Sequence, residues 1–274
     1  MYEKYWQLEN KPFENTSDAR FYYPGEAHQG ALLKLRYAIE NRRGLAVLSG
    51  VAGLGKTLLA QAMADQLNEQ FSPVVHLVFP QMPPDQLLAY LADELTGDTV
   101  ERTSPVAMDQ SVRRIQKTLK ENSAQNRHAV VMVDEAHLLA DTGALETMRL
   151  LLNMEYAQGP ALTLLLIGQT SLLTSLDRAP QLDSRVDVKC LLRPFTREES
   201  VSYIAHRMRA AGAQTEIFTP DAVESIHELT AGVPRRINRL CDLALLISYA
   251  EECARIDGAQ IESVSSELVT VTPE

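Results

Sequence analysis

The 274-residue sequence contains little cysteine, and the few cysteines that it has are not spaced like the ligands of a metal ion. Cys190, Cys241 and Cys253 are the only three, and no two of them form a Cys-x-x-Cys pair. Each lies among apolar or helical residues. This pattern indicates buried thiols in a reducing cytoplasm, with a metal or disulfide role as the alternative.

Basic side chains and long apolar runs are also scarce. The chain has 26 Lys and Arg against 36 Asp and Glu, a net charge of -10, which argues against binding nucleic acid over its whole surface, although a local basic patch remains compatible. The N-terminus lacks the basic-then-apolar pattern of a signal peptide, and no apolar run reaches the roughly 18 residues that span a bilayer. We therefore expect a cytoplasmic protein without direct membrane insertion, recruited to the inner membrane, if at all, by a partner.

Up to Pro194, runs of apolar residues alternate with stretches of helical pattern. The runs are apolar at nearly every position, as in strands that are buried on both faces of a parallel sheet. Predicted strands are 45–49, 74–79, 129–133, 162–167 and 186–192, and predicted helices are 31–41, 58–70, 84–95, 108–121 and 142–155. The pattern predicts a three-layer α/β domain.

Beyond Pro194 the pattern is helical throughout. Four helices are predicted, at 197–211, 220–230, 234–252 and 257–268, with no strand between them. We therefore expect two domains, an α/β domain at 1–195 followed by a small all-α lid domain at 196–274. The first 30 residues are aromatic and irregular, and we expect them to pack on the α/β domain.

A glycine-rich segment between the first strand and the next helix matches the phosphate-binding loop G-x-x-x-x-G-K-[ST]. Its glycines allow consecutive backbone N–H groups and the helix N-terminus to face phosphates. Lys56 is expected to reach the β and γ phosphates of ATP, and the Thr57 hydroxyl to bind Mg²⁺. The predicted nucleotide-binding residues are Gly50, Val51, Ala52, Gly53, Leu54, Gly55, Lys56, Thr57 and Leu58.

Two carboxylates follow the apolar strand 129–133. In a P-loop protein this is the position of the acid linked to the metal ion. Asp134 is therefore expected to hold Mg²⁺ through water, and Glu135 to polarise the water that attacks the γ phosphate. Together with the loop, the pair predicts an ATPase with ATP and Mg²⁺ as cofactors. Asp134 to His137 also spell the Asp-Glu-Ala-His motif of certain helicases, but those need a second RecA-like domain, and we interpret His137 as a packing or switch residue.

Several motifs together carry a resemblance to a known family over nearly the whole chain. The residues concerned are Lys11-Pro12-Phe13, Thr16, Asp18, Phe21, His28, Ala31-Leu32, the phosphate loop, Asp134-Glu135-Ala136-His137, Ile167-Gly168-Gln169 and Gly232-Val233-Pro234-Arg235-Arg236-Ile237-Asn238. With these residues the chain resembles AAA+ ATPases, and within them the ExeA/GspA-like (general secretion pathway protein A) ATPases of bacterial secretion and pilus systems, which are related to TnsC/TniB-type transposition ATPases.

The resemblance implies two residues that sense the γ phosphate. Gln169, just past the strand 162–167, matches the polar first sensor, and a plain capping amide is the alternative. Arg235, at the start of a lid helix, matches the second sensor, which swings the lid onto the nucleotide. Its neighbour Arg236 is the alternative.

Ser184-Arg185-Val186 resembles the element of clamp-loader ATPases whose arginine reaches into the site of a neighbouring subunit. Removing such an arginine finger costs roughly 10³ to 10⁵ in rate. The resemblance therefore implies a homo-oligomer whose catalysis requires assembly. Arg178 is a competing finger, and an ion pair of Arg185 with Asp183 or Asp187 is the alternative.

The resulting hypothesis is an ATP-driven assembly factor that acts on a partner protein in secretion or pilus assembly. Secretion members of the family continue into a membrane segment and a peptidoglycan-binding domain, whereas this sequence ends at Glu274. A non-hydrolysing nucleotide switch that serves as a scaffold is one alternative function.

A DNA-binding regulator of a mobile element is the other alternative. Arg113, Arg114, Lys117 and Lys120 are spaced so as to form one basic face of the helix 108–121. The overall acidity and the lack of interleaved aromatic residues favour a solvated face over a DNA-binding one.

Overall fold

In the computed structural model, residues 1–14, 19–98, 106–156 and 159–270 are described, and the chain forms two compact units. The α/β unit contains residues 27–52 and 56–192. The helical unit contains residues 1–26, 53–55 and 193–274. Thr16 and Asp18, two of the residues that carry the family resemblance, lie outside the described residues.

The α/β unit is built on a five-stranded parallel sheet with strand order β2-β3-β6-β1-β7. Its three central strands β1, β3 and β6 are buried at every residue, which requires cover on both faces. The predicted three-layer α/β fold with a parallel sheet is confirmed. The strands are β1 (Leu45–Ser49), β2 (Val74–Leu77), β3 (Ala129–Val133), β6 (Leu162–Gly168) and β7 (Val186–Leu191), with a short antiparallel ribbon of β4 (Glu155–Tyr156) and β5 (Gly159–Pro160).

Helices connect the strands and make up most of the second unit. The longer α-helices of the first part of the chain are α1 (Glu26–Glu40), α2 (Lys56–Ala64), α3 (Pro84–Thr96), α4 (Met108–Ala124) and α5 (Ala144–Leu151), followed by the short α6 (Ser171–Asp177) and α7 (Pro180–Asp183). The helical unit contains α8 (Arg197–Ala210), α9 (Pro220–Thr230), α10 (Pro234–Ala250) and α11 (Gly258–Thr270), and the 3₁₀ helices are Ala19–Phe21 and Ala136–Ala140. No helix of the described part is both long and apolar enough to cross a membrane.

The strand register brings three chain segments together at one edge of the sheet. Ser49 pairs with Gly168, and Val133 pairs with Leu166. Because the strands are parallel, the residues that follow β1, β3 and β6 all emerge at the carboxyl edge. This edge therefore collects the phosphate loop, Asp134 with Glu135, and Gln169.

The N-terminal aromatic residues pack in the helical unit, so the prediction that they pack on the α/β domain is wrong for Met1–Glu26. They share a buried cluster with residues of α8 to α11, and the indole N–H of Trp6 donates to the carbonyl of Leu245 at 3.0 Å. The physical reason is that these helices have apolar faces that need cover. The clustered aromatic residues are Tyr2, Trp6, Phe13, Phe21, Phe195, Tyr203 and Phe218.

A buried arginine ties this segment to α8. The Arg207 guanidinium, 4 % exposed, donates to the carbonyls of Pro12 at 2.5 Å, Glu14 at 2.6 Å and Phe21 at 3.5 Å. It also lies 4.6 Å from the centre of the Phe21 ring. Three main-chain carbonyls and one aromatic face thus take the place of the water that would otherwise solvate the guanidinium.

The three cysteines are free thiols. Cys190 and Cys241 are buried, as predicted, whereas Cys253 is half-buried. Burial raises the pKa of the Cys241 thiol, which keeps it protonated and unreactive.

Candidate active site

The phosphate loop leads from β1 into α2, which begins at Lys56. The Lys56 side chain is buried, and its Nζ donates to the carbonyls of Gly50 at 2.9 Å and Val51 at 3.0 Å. The first residues of the loop are therefore wrapped around the ammonium group. This arrangement places a positive charge and the N-terminus of α2 at the carboxyl edge of the sheet, where both attract anions.

Gly53 contacts the start of α10 within the helical unit. Its φ is +86°, and a Cβ there would lie 2.9 Å from the Cβ of Arg235, so only glycine fits without strain. The backbone N–H of Arg235 donates to the Gly53 carbonyl at 3.2 Å. Arg235 and Arg236 are both exposed, but it is Arg235 that touches the loop.

A second glycine shapes the segment just before Arg235. Gly232 has a φ of +68°, and a Cβ there would lie 2.1 Å from the carbonyl oxygen of Phe195. The Phe195 N–H donates to the Gly232 carbonyl at 2.9 Å. This close approach of two backbones explains the glycine of the Gly-Val-Pro-Arg element, whose proline then opens α10.

Asp134 is the more buried of the two acids of the site. It is 4 % exposed, its Oδ2 accepts from the Thr57 hydroxyl at 2.5 Å, and its Oδ1 accepts from the N–H of Glu135 at 2.8 Å. The hydrogen bond to Thr57 joins the end of the phosphate loop to the end of β3.

This hydroxyl and carboxylate fit Mg²⁺, because that ion prefers oxygen ligands and usually takes only one or two from the protein, completing its shell with phosphates and water. The described residues contain no cluster of three or more His, Cys, Asp or Glu that could form an all-protein metal site. The donor set therefore suits a metal ion that arrives with a nucleotide.

Glu135 has an unusual backbone for a non-glycine residue. Its φ is +47° and ψ is +35°, in the left-handed region, and it directly precedes the 3₁₀ helix Ala136–Ala140. Such residues concentrate at functional sites, where the surrounding structure holds the strain. The carboxylate is half-exposed, and its Oε2 lies 3.3 Å from Nδ1 of His137. The Glu135 carboxylate is therefore accessible to water.

His76 is a residue of this site that sequence analysis missed. It lies on β2 opposite Met132 of β3, which puts it on the same sheet face as Asp134, two residues further on. Its Nε2 lies 4.0 Å from Oδ2 of Asp134. The available signal was a single polar residue within the apolar run 74–79.

Gln169 directly follows β6 at the same edge. Its carbonyl accepts a hydrogen bond at 3.1 Å from the hydroxyl of Ser49, the last residue before the phosphate loop. The structure therefore brings Gln169 beside the loop, with its side chain half-buried.

Arg185 lies at the opposite side of the sheet from the predicted site, at the amino ends of the strands. It directly precedes β7, whose first residue Val186 pairs with Leu45 at the amino end of β1. The five residues from there to the phosphate loop span about 16 Å, which is longer than an arginine side chain. Arg185 and the predicted site of its own chain are thus separated.

The alternative ion pairs of Arg185 are not formed among the described residues. The Arg185 guanidinium donates to Oδ1 of Asn153 at 2.5 Å, whereas Asp183 and Asp187 face other basic residues. The competing finger, Arg178, is exposed at the C-terminal end of α6.

The prediction of a single basic face on α4 is wrong for Arg114. This side chain turns towards α3, where it pairs with Asp93 at 2.6 Å and donates to Thr96 at 3.1 Å. Arg113 and Lys117 are exposed, but a side-chain nitrogen of each lies close to a carboxylate oxygen one helical turn away, at 3.7 Å for Arg113 and 3.9 Å for Lys117. Three of the four positive charges are therefore locally balanced, which favours a solvated face.

Comparison with known proteins places this chain in a family. Residues 39–176, about half of the chain, match the AAA domain family. General secretion pathway protein A of Aeromonas hydrophila is 31 % identical over 282 aligned residues, which cover 100 % of this chain and 50 % of that protein. The chain thus spans half the length of this curated relative.

Solved structures with the same fold are more distant in sequence. The Aeropyrum pernix ORC2 protein, solved as ADPNP-ADP complexes, is 17 % identical with a TM-score of 0.70, covering 94 % of this chain and 72 % of that one. The Drosophila ORC bound to DNA is 20 % identical with a TM-score of 0.68, covering 94 % and 64 %. The predicted resemblance to GspA is confirmed, and the chain belongs to the AAA domain family of P-loop ATPases.

Proposed function

We propose that this chain binds Mg-ATP at residues 50–58 and hydrolyses it with the help of Asp134 and Glu135. The observation that carries the proposal is the hydrogen bond between Thr57 and Asp134. It joins the two motifs that sequence analysis singled out separately, and Glu135 lies next to them in a left-handed turn.

Each side chain has a distinct role in this proposal. The ammonium group of Lys56 leaves the loop carbonyls to which it now donates and binds the β and γ phosphates. Thr57 and Asp134 would hold the metal ion, the latter through water. When bound, Mg²⁺ neutralises charge on the phosphates. The half-exposed Glu135 orients the attacking water and accepts its hydrogen bond.

Two further residues report the state of the nucleotide in this proposal. The backbone contact of Gln169 with Ser49 supports a role as first sensor. The contact of Arg235 with Gly53 supports Arg235 over Arg236 as second sensor. Both arguments concern position at the loop, and the roles themselves stem from the family resemblance.

We propose further that Arg185 completes the site of a neighbouring subunit. Its place at the amino edge of the sheet supports this, because it excludes a contact with the γ phosphate of its own chain. Activity then requires a homo-oligomer.

The likeness to general secretion pathway protein A supports a protein partner in secretion or pilus assembly, with the chain on the cytoplasmic side of the inner membrane. A related structure is bound to DNA, but the balanced charges of α4 do not favour DNA as the partner here.

The hydrolysis proposal is tested by comparing Glu135→Gln with Lys56→Ala. We expect Glu135→Gln to bind a fluorescent ATP analogue like the wild type but to lose at least about 10²-fold in phosphate release, since it removes only the group that orients water. Lys56→Ala should weaken binding itself. Normal turnover in Glu135→Gln would exclude this role for Glu135, and no turnover in the wild type at any protein concentration would favour a non-hydrolysing switch.

The shared site is tested by mixing two inactive variants. Glu135→Gln keeps its finger, and Arg185→Ala keeps its own catalytic residues, so a mixed assembly contains sites with both. We expect each variant alone to be inactive and the mixture to recover part of the activity. Arg178→Ala serves as the matched control. An active Arg185→Ala protein, or a mixture as inactive as its components, would rule out Arg185 as the finger.

A further inference from the structure

His76 places a buried polar atom beside the candidate metal ligand. Its Nε2 is buried and makes no hydrogen bond to any described residue. An unpaired buried donor or acceptor destabilises a folded protein, so it calls for an explanation in a native structure. The neighbouring Oδ2 of Asp134, at 4.0 Å, is about 1 Å too far for a hydrogen bond.

The sheet itself creates this proximity. Strands β2 and β3 are parallel and in register, with Val75 opposite Val131 and Leu77 opposite Val133, and the N–H of Asp134 donates to the carbonyl of Leu77 at 2.8 Å. This ladder fixes the backbones on both sides. Only the side-chain torsions of His76 and Asp134 need to change for the two groups to meet.

The Asp134 carboxylate has a free place for such a donor. Oδ1 is held by the N–H of Glu135, and Oδ2 is held by the Thr57 hydroxyl. A carboxylate oxygen accepts more than one hydrogen bond, so Oδ2 has room for a second. If Thr57 turns its hydroxyl towards a metal ion, Oδ2 loses its present donor, and His76 is then in place to replace it.

We propose that His76 is a positioning residue: its Nε2–H donates to Oδ2 of Asp134 once Mg-ATP is bound, and so keeps the carboxylate aimed at the metal ion. This inference rests on the proposed function, because it assigns the metal ion to Asp134. It adds a residue that acts through Asp134 and does not touch the nucleotide. Donors of this kind around metal ligands typically contribute about 10- to 100-fold in metal affinity.

The experiment measures how much Mg²⁺ tightens nucleotide binding, using a fluorescent ATP analogue in Mg²⁺ and in EDTA. We expect the His76→Phe variant to bind the analogue in EDTA as tightly as the wild type does. The factor by which Mg²⁺ increases its affinity should be about tenfold smaller than in the wild type. His76→Gln, whose amide can donate from a similar position, should keep most of the gain. His76→Leu is a second variant without a donor, should the phenylalanine fail to fold.

His128→Phe is the matched control, because it removes another buried histidine, which directly precedes β3 at its far, amino end. It should change neither affinity. A purely structural role for His76 would instead lower both affinities in the phenylalanine and glutamine variants alike, and that result would overturn the proposal, as would a full Mg²⁺ gain in His76→Phe. If the proposed function itself were wrong, the result would differ. The wild type would then show no gain in affinity from Mg²⁺, or Asp134→Ala would leave that gain unchanged.

Discussion

Replacing Arg207 by methionine should destabilise the helical unit more than any change at its surface. The substitution keeps the length and the apolar stem of the side chain but removes the guanidinium. The carbonyls of Pro12 and Glu14 then lose short charged hydrogen bonds of 2.5 and 2.6 Å, and Phe21 loses its cation.

The magnitude follows from those contacts. A hydrogen bond to a charged group contributes about 1.5–3 kcal/mol, and two short ones together with the ring contact give a loss of about 3–5 kcal/mol after some water enters. That is a large part of the 5–15 kcal/mol that typically stabilises a domain. In a unit of this size it corresponds to a lower melting temperature by more than about 10 °C.

The assay is urea unfolding followed by tryptophan fluorescence. Trp6 is the only tryptophan, and it lies in the same N-terminal segment, so the signal reports this unit. Arg209→Met is the matched control, because Arg209 is exposed on the same helix and should change stability by no more than about 0.5 kcal/mol. If Arg207→Met destabilised the protein no more than this control, the buried arginine would not be what holds the segment.

Two other substitutions test the packing. Burial lowers the pKa of His128 from 6.5 to about 4, so the folded chain binds its proton less readily than the unfolded chain and stability falls as pH drops from above 6.5 towards 4. Between pH 7.5 and pH 5 this histidine should account for about 2 kcal/mol of the decrease in the free energy of unfolding. Urea titrations at the two pH values should therefore show a decrease that is smaller by that amount in His128→Gln than in the wild type, and an equal decrease would contradict the assignment. Gly232→Ala should destabilise the helical unit by several kcal/mol, because its Cβ would clash with the Phe195 carbonyl, whereas the exposed and uncrowded Gly30→Ala should be neutral or stabilising; equal melting temperatures would refute this.

Sequence reasoning succeeded where a short pattern carries its own boundaries. β1 and β3 were predicted residue for residue because each is a five-residue run, apolar except for Ser49, that ends at the start of a motif. It did less well where a boundary depends on packing. The helix after the phosphate loop was predicted to reach residue 70 but ends at Ala64, and the ribbon of β4 and β5 was missed because its strands are only two residues long.

Contacts between distant segments were not predictable from one sequence. An aromatic N-terminus shows that something must be covered but does not say which surface, and so the segment was assigned to the wrong unit. The contacts of His76 and Arg114 were not predicted for the same reason, since their partners Asp134 and Asp93 are set by the order of strands and the packing of helices. The backbone strain at Glu135 has no local sequence signature either.

The contact between Arg207 and Pro12 also constrains how the chain matures during synthesis. The two residues are 195 positions apart, and a ribosome adding about 5–20 residues per second takes roughly 10–40 s to cover that interval. Throughout this time the aromatic N-terminal segment has left the ribosome without the helices that bury it, while the complete α/β unit emerges behind it. The N-terminal segment is therefore translated well before the helices that bury it, and this interval is when a chaperone would bind it.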